Sequence, residues 1–237
     1  MGAVGPTKLE ILGYESTPLG MLCLRRREML ADPGTWVTEI TLDHELLMSS
    51  YHNVSERALA EHALEMHPGS GLRVLVGGLG LGYTAAAALA CERVASIEVI
   101  ELLPHVIDWL ERGLFPLSAE LRSEPRLSVA RGDVFARLAT PRAGEFDLIL
   151  IDVDHSPAER LGGSSSAFYT RAGLRAAKRH LVPGGVLAVW SYAEDTPFSA
   201  ALREVFANVE VVPVRFRNVL VDEEETDWLF FARDSAR

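Results

Sequence analysis

The sequence predicts an α/β fold: a doubly wound, mostly parallel sheet preceded by a small antiparallel β unit. Three observations point to it. Between Arg73 and Tyr192, short and nearly continuous apolar runs alternate with helix-forming stretches, the rhythm of parallel strands buried on both faces. The first of these strands ends in a glycine cluster and then alanines, "RVLVGGLGLGYTAAAALA" from Arg73 to Ala90, which reads as strand, tight turn and helix. Ahead of it, from about Lys8 to Asp43, the pattern is short, alternating and turn-rich, as in antiparallel strands.

The elements follow in order. "LEILGYES", a Pro-Leu-Gly turn, "MLCLRRRE", the turn "ADPGT" and "WVTEITLD" make the antiparallel unit. Ser55 is the expected N-cap of a helix "ERALAEHALEMH", whose Ala58, Leu59, His62, Ala63 and Met66 share one stripe. Pro68 and Gly69 end it. Then "RVLVGG", "TAAAALAC", "ASIEVIEL", "PHVIDWLERGLF", "RLSVARGD", "FDLILID", "RAGLRAAKRHL" and "VLAVWSY" alternate strand and helix. A helix "PFSAALREVF" and two strands, "VEVVPVRF" and "DWLFFAR", finish the chain, with the acidic turn "VDEEET" between them. The expected division is 1–54, β unit and linker, and 55–237, nucleotide-binding catalytic domain; 237 residues suit one sizeable domain with an appendage.

Composition narrows the function. A net charge of −10 argues against a nucleic-acid footprint. The basic run "LRRRE" at Leu24 to Glu28 reads as a solvated strand edge before it reads as a phosphate or partner site. Cys23 and Cys91 form no C-x-x-C pair and read as packing residues of a reducing compartment. "MGAVGPTKLE" has no basic start followed by an apolar stretch, and Pro6 stands where a myristoylation signal wants Ser or Thr. The expectation is a cytoplasmic protein without a membrane span.

The glycine turn carries the chemistry. Gly78, Gly80 and Gly82 form G-x-G-x-G at the carboxyl end of a strand, where open parallel sheets bind ligands. Glu101 ends the next strand, a spacing at which a carboxylate accepts both ribose hydroxyls of a nucleoside. Asp133 ends the third strand in the same manner and is also placed to cap the helix starting at Val134. A dinucleotide site wants its last glycine one position later, where this chain has Tyr83. The turn therefore suits an adenosyl group with a sulfonium tail better than NAD, and by itself leaves NAD open. Asp152, at the end of "FDLILID", is positioned to orient an incoming nucleophile.

"VLVGGLGLGYT", "IEVIELLPHVIDW", "RLSVARGDVF", "FDLILIDVDHSP" and "FYTRAGLRAAKRHLVPGGVLAVWS" resemble, in that order, the polyamine aminopropyltransferase (spermidine synthase) family, a branch of the class I S-adenosylmethionine-dependent methyltransferase fold with its Rossmann-like sheet. "ITLDHELLMSSYHNVSERALAEH" is similar to the segment joining that family's N-terminal β unit to its nucleotide domain. The resemblance implies that Gly78, Gly80 and Gly82 approach the nucleoside, Glu101 holds the ribose, Asp133 meets the adenine amino group and Asp152 takes a proton from the attacking amine. It also implies a homodimer through the N-terminal β unit.

Three departures qualify the resemblance. Where the family has Gly-Gly-Gly-Asp-Gly-Gly, with the Asp gripping the donor's amino group, this chain carries Leu81. Laid without gaps, Leu47 stands for the family's Gln, and Glu56, Arg57 and Ala58 for the Tyr-His-Glu that hold the polyamine. After Asp152 the chain reads Val153, Asp154, His155, Ser156, Pro157 instead of Ser-Thr-Asp-Pro. Much of the diamine clamp is thus absent from the alignment, and a flexible dication needs carboxylates at both ends. Asp154 and His155 are candidates for replacement acid–base chemistry. Tyr169, Trp190 and Tyr192 are candidates for walls of the acceptor pocket. "HELLM" from His44 lacks the second His of a zinc helix, and no metal is expected.

The first expectation is methyl transfer from S-adenosylmethionine to an N or O nucleophile of a small-molecule acceptor. The alternative is transfer of an aminopropyl or aminocarboxypropyl group to an amine, the aminopropyl donor being decarboxylated S-adenosylmethionine. A third reading is a nucleoside-binding protein without turnover.

Overall fold

The computed structural model describes residues 8–30, 32–153, 163–218 and 223–234. Its elements, in chain order, are β1 (Leu9–Thr17), β2 (Gly20–Glu28), β3 (Trp36–Leu42), β4 (Glu45–Ser49), α1 (Val54–Met66), β5 (Leu72–Gly77), α2 (Tyr83–Leu89), β6 (Val94–Glu101), α3 (Pro104–Glu111), α4 (Ser118–Ser123), β7 (Leu127–Arg131), α5 (Val134–Ala139), β8 (Phe146–Ile151), α6 (Gly163–Phe168), α7 (Arg171–Lys178), β9 (Leu181–Ser191), α8 (Thr196–Val205), β10 (Asn208–Asn218) and β11 (Glu223–Arg233).

The larger sheet has the order β10-β11-β9-β8-β5-β6-β7. β6, β7, β8 and β9 run parallel to their neighbours around β5, while β11 and β10 are antiparallel. The apolar runs are buried on both faces as their sequence requires: Leu75, Val76, Leu148, Ile149, Leu150 and Val189 have no exposed surface. Each such side chain contributes roughly 1.5–3 kcal/mol of burial. The alanines of α2 let that helix lie close on the sheet, and all seven of its residues are buried. Among the described residues no helix is long and apolar enough to cross a membrane.

The smaller sheet, β1-β2-β3-β4, is antiparallel throughout. Its fourth strand goes beyond the three-strand expectation. β3 turns into β4 through Asp43 and His44, both with positive φ (47° and 74°), the conformation of a tight hairpin turn. Neither is a glycine, so the turn carried no obvious signature. The sheet packs on the glycine turn and α3 through Leu22, Leu24 and Ile40, which join one apolar cluster with Leu81, Val106, Trp109 and Phe115. Where the β1–β2 register shifts, between Ile11 and Gly13, the fully buried Trp109 indole lies so close that a Cβ on Gly13 would overlap it.

The basic run is absorbed by the sheet's own pairing. Arg25 and Arg27 bracket the buried Glu39 from the neighbouring strand at 2.8 and 2.7 Å, and Arg26 pairs with Glu10 and stacks on Trp36. Cys23 and Cys91 are free thiols, and Cys23 is buried.

α1 corrects two expectations. Its N-cap is Asn53, not Ser55, and its buried residues are Ser55, Glu56, Leu59, Ala60, Ala63 and Leu64. The buried stripe is rotated from the expected one: Ala58, His62 and Met66 are only half-buried. That rotation turns Ser55 and Glu56 inward, toward α2, β9 and β11, on which α1 packs.

Candidate active site

β5 pairs with β6 on one side and β8 on the other, so the chain reverses its winding there and leaves a crevice beyond the carboxyl ends of β5 and β8. The glycine turn occupies it. Gly78 has φ 96°, its N–H donates to the Ile100 carbonyl at 2.9 Å, and a Cβ would strike the Asp152 carbonyl. Only glycine lets the ends of β5 and β8 approach this closely. A Cβ on Gly80 (φ 50°) would meet Met48 of β4, whose sulfur accepts the Leu81 N–H at 2.8 Å. Gly82 (φ 88°) faces Leu121 of α4. It serves helix packing, whereas Gly78 and Gly80 line the cavity.

The cavity is about 510 Å³, within the range of small-molecule sites. Glu101, Asp133, Val134 and Phe135 form one end, Glu56, Asp152, Trp190 and Tyr192 the other, and Leu22, Leu42, Leu47 and Met48 of the smaller sheet cover the middle. Among its described lining residues are five carboxylates, Glu45, Glu56, Glu101, Asp133 and Asp152, and no Lys, Arg or His. Tyr169 is not a wall: it packs in the core against Phe135, Phe168 and Phe198. Asp154 and His155 lie outside the described residues.

At the first end the carboxylates are held by main chain. Glu101 accepts the Leu79 N–H on one oxygen and the Leu103 N–H on the other, each at 2.8 Å. Burial pushes its pKa up, and these backbone donors oppose the shift. Asp133 Oδ1 accepts the Phe135 and Ala136 N–H groups at 2.8 and 3.2 Å, capping α5. Capping and cavity lining therefore coexist in one side chain.

At the second end carboxylates face one another. Asp152 receives a hydrogen bond from the Thr84 hydroxyl. Burial raises its pKa to about 6, with Asp227 adding to the shift. Glu56 is raised to about 8, first by burial and then by the charge of Asp152. Ser55 Oγ lies 2.6 Å from Asp227 Oδ2 and 3.0 Å from Glu56 Oε2, and the Trp190 indole N–H donates to it at 3.1 Å. Asp227, on β11, is also raised by burial.

Glu56, Asp227 and Ser55 escaped the sequence reading. The ungapped alignment sets Glu56 where the resembled family has Tyr and leaves much of the clamp unmatched; in the fold the Glu56 and Asp227 carboxylates, from α1 and β11, flank Ser55. Glu56 is in helical phase with Leu59, Ala60 and Ala63, a signal the sequence carried. Arg57 turns away, its guanidinium 5.1 Å from the Tyr83 ring centroid. His44 is a turn residue, and no metal-holding cluster occurs among the described residues.

No family model matches the chain. Putrescine N-methyltransferase 3 of Nicotiana tabacum is 30% identical over 115 residues, 48% of this chain and 29% of that protein. The polyamine aminopropyltransferase of Prochlorococcus marinus (strain MIT 9313) is 30% identical over 143 residues, 60% of this chain and 45% of that one. The chain thus spans less than half the length of these curated relatives. Among solved structures, spermidine synthase in complex with the transition-state analogue AdoDATO superposes with a TM-score of 0.76 at 18% identity, covering 96% of this chain and 74% of that one. Spermidine synthase from Thermotoga maritima gives 0.74 at 17% identity, with the same coverage. The chain thus resembles spermidine synthase in fold over nearly its whole length, and a polyamine aminopropyltransferase and a putrescine N-methyltransferase in sequence over about half of it.

Proposed function

We propose that this protein is a transferase that alkylates an amine from an S-adenosylmethionine-type donor, and that the donor is the decarboxylated form, giving aminopropyl transfer. One observation carries the reading: the described cavity lining has five carboxylates and no basic side chain. A sulfonium, a donor ammonium and an acceptor ammonium each gain from such a lining. A donor carboxylate would sit unpaired among like charges, which costs several kcal/mol. Aminopropyl transfer is therefore better supported than the methyl transfer placed first from sequence, and both spermidine synthases and a polyamine aminopropyltransferase are among the similar proteins.

The donor, when bound, supplies a carbon already activated by the adjacent sulfonium. The chain has to orient and deprotonate. The cradle fits a nucleoside: Gly78 and Gly80 bring bare backbone to the cavity. Glu101 is the ribose acceptor and Asp133 the adenine contact that the resemblance implies. Asp152 lies next to the glycine turn, half-buried, with a pKa raised to about 6. A carboxylate tuned toward neutrality is suited to take the acceptor's proton as the N–C bond forms. Glu56 faces the same space and offsets the desolvation of an incoming ammonium. The aliphatic wall from the smaller sheet keeps water off the reacting carbon.

Methyl transfer to an amine is the second reading, favoured by Leu81, which leaves the turn without the family's amine-gripping Asp, and by the putrescine N-methyltransferases among the relatives. Calorimetric titration with S-adenosylmethionine and with its decarboxylated form separates the two. The expected result is at least tenfold tighter binding of the decarboxylated compound. Preference for the carboxylated compound overturns aminopropyl transfer, and binding of neither overturns the donor assignment. Dimerisation is proposed through the smaller sheet, whose edge strand β1 exposes Leu9, Ile11 and Tyr14; light scattering that finds only monomer would dispose of it.

A further inference from the structure

Ser55 poses a question of proton counting. Its hydroxyl has one hydrogen, yet Oγ lies within hydrogen-bond distance of two carboxylates, Asp227 at 2.6 Å and Glu56 at 3.0 Å. It can donate to one of them. The other contact is an oxygen-to-oxygen approach that is attractive only if that second carboxyl brings its own proton. The shorter distance matches a charge-assisted O–H···O⁻ bond, which makes Asp227 the ionised partner and Glu56 the one that donates to Ser55. The Trp190 N–H, 3.1 Å from Oγ, adds a donor and no acceptor, so it does not relieve the shortage.

The surrounding charges agree. Glu56 lies near Asp152 at the same end of the cavity, and Asp227 carries the further like charge of Glu225. On β10 the residue opposite Asp227 is Val214, and on β9 the neighbouring polar group is the Trp190 indole. Arg57, next to Glu56 in the chain, is held away by Asn53 and Tyr83. Among the described residues, none with positive charge compensates the cluster.

We infer that Asp227, which does not line the cavity, is a positioning residue: through Ser55 it holds one shared proton on Glu56, and a cationic amine entering the cavity takes the place of that proton. This rests on the amine-acceptor reading above. Atoms balance simply: the ammonium arrives with its charge, the Glu56 proton leaves to the buffer, and the net charge of the cluster is unchanged. The consequence is discrimination by charge, because a neutral acceptor cannot displace the proton and gains nothing from the exchange.

Two measurements on the full chain test it. Infrared difference spectra of the protein without ligands, at pH 7, are expected to show a protonated-carboxyl C=O band that is lost in both Glu56→Gln and Asp227→Asn. Absence of the band, or its survival in both variants, overturns the shared proton. This readout needs no substrate, so it stands apart from the function itself. The second measurement is titration with putrescine in buffers of different ionisation enthalpy, in the presence of methylthioadenosine. Release of close to one proton per amine is expected, with affinity rising nearly tenfold per pH unit between pH 6 and 8. Asp227→Asn, which keeps the hydrogen bonds but cannot ionise, is expected to flatten that dependence. Binding without proton release overturns the exchange, while absence of any amine binding counts against the acceptor reading and leaves the infrared result to decide the shared proton.

Discussion

The two ends of the cavity hold their carboxylates in opposite ways. Glu101 is pinned by N–H groups of the glycine turn and of the loop after its own strand, and Asp133 by the first turn of α5. Glu56, Asp152 and Asp227 come from three separate segments and are held by two hydroxyls, those of Ser55 and Thr84, the first of them braced by the Trp190 indole. The first end is complete before a ligand arrives. The second is a concentration of like charge that a cation would settle. One end is built to recognise a shape, the other to receive a charge, and substitutions should separate these roles.

The largest effect is expected at the charge-receiving end. Asp152→Asn should lower kcat by ~10²–10⁴-fold, the usual range for a lost general base, while calorimetry finds donor affinity little changed. Loss of donor binding in this variant would mean the two ends are not independent. Glu101→Gln should do the reverse, weakening donor binding by roughly 10–100-fold as charge-assisted bonds to Leu79 and Leu103 are lost, with proton release on amine binding intact.

Stability provides a third contrast. The Glu56 carboxyl has its pKa raised in the fold from 4.5 to about 8. Its contribution is therefore fully present below about pH 4.5 and is lost as pH rises through about 8. Glu56→Gln should consequently stabilise the protein by ~1 kcal/mol or more at pH 9 relative to its effect at pH 5, read from thermal unfolding at both values. A pH-independent difference would remove the like-charge account. The smallest effect on function is expected from Gly82→Ala, which forces a side chain into the left-handed region against Leu121. A cost of ~1–2 kcal/mol in stability without change in donor affinity would confirm that Gly82 serves packing, unlike Gly78 and Gly80.

The same contrast explains what could be read in advance. Glu101, Asp133 and Asp152 each lie at or just past the end of a parallel strand, and parallel sheets deliver strand ends to one edge, so their chain positions alone gathered them. Glu56 and Asp227 meet only because α1 packs across β9 and β11, a rotation that propensity does not specify. Ser55 looked like a cap because Ser before a helical run usually is one; Asn53 took that position and freed the hydroxyl for the carboxylates. β4 was missed because its turn, Asp43 and His44, has positive φ at both residues without the glycine that marks most two-residue hairpin turns. The larger sheet, by contrast, was legible nearly strand for strand, since burial on both faces leaves continuous apolar runs in its central strands β5, β8 and β9 and the edge strand β10 keeps a clear alternation.

The contact between Gly13 and Trp109 has a consequence for how this protein can diverge. The indole sits against the one position of β1 that has no side chain, so the two sites form a lock and key between the smaller sheet and α3. A descendant that gained a side chain at 13 would have to shrink the residue at 109, or lose the seating of the cavity's aliphatic wall. Positions 13 and 109 are therefore expected to change as a pair, an inherited signature of which versions of the smaller sheet can be exchanged between such proteins and which cannot.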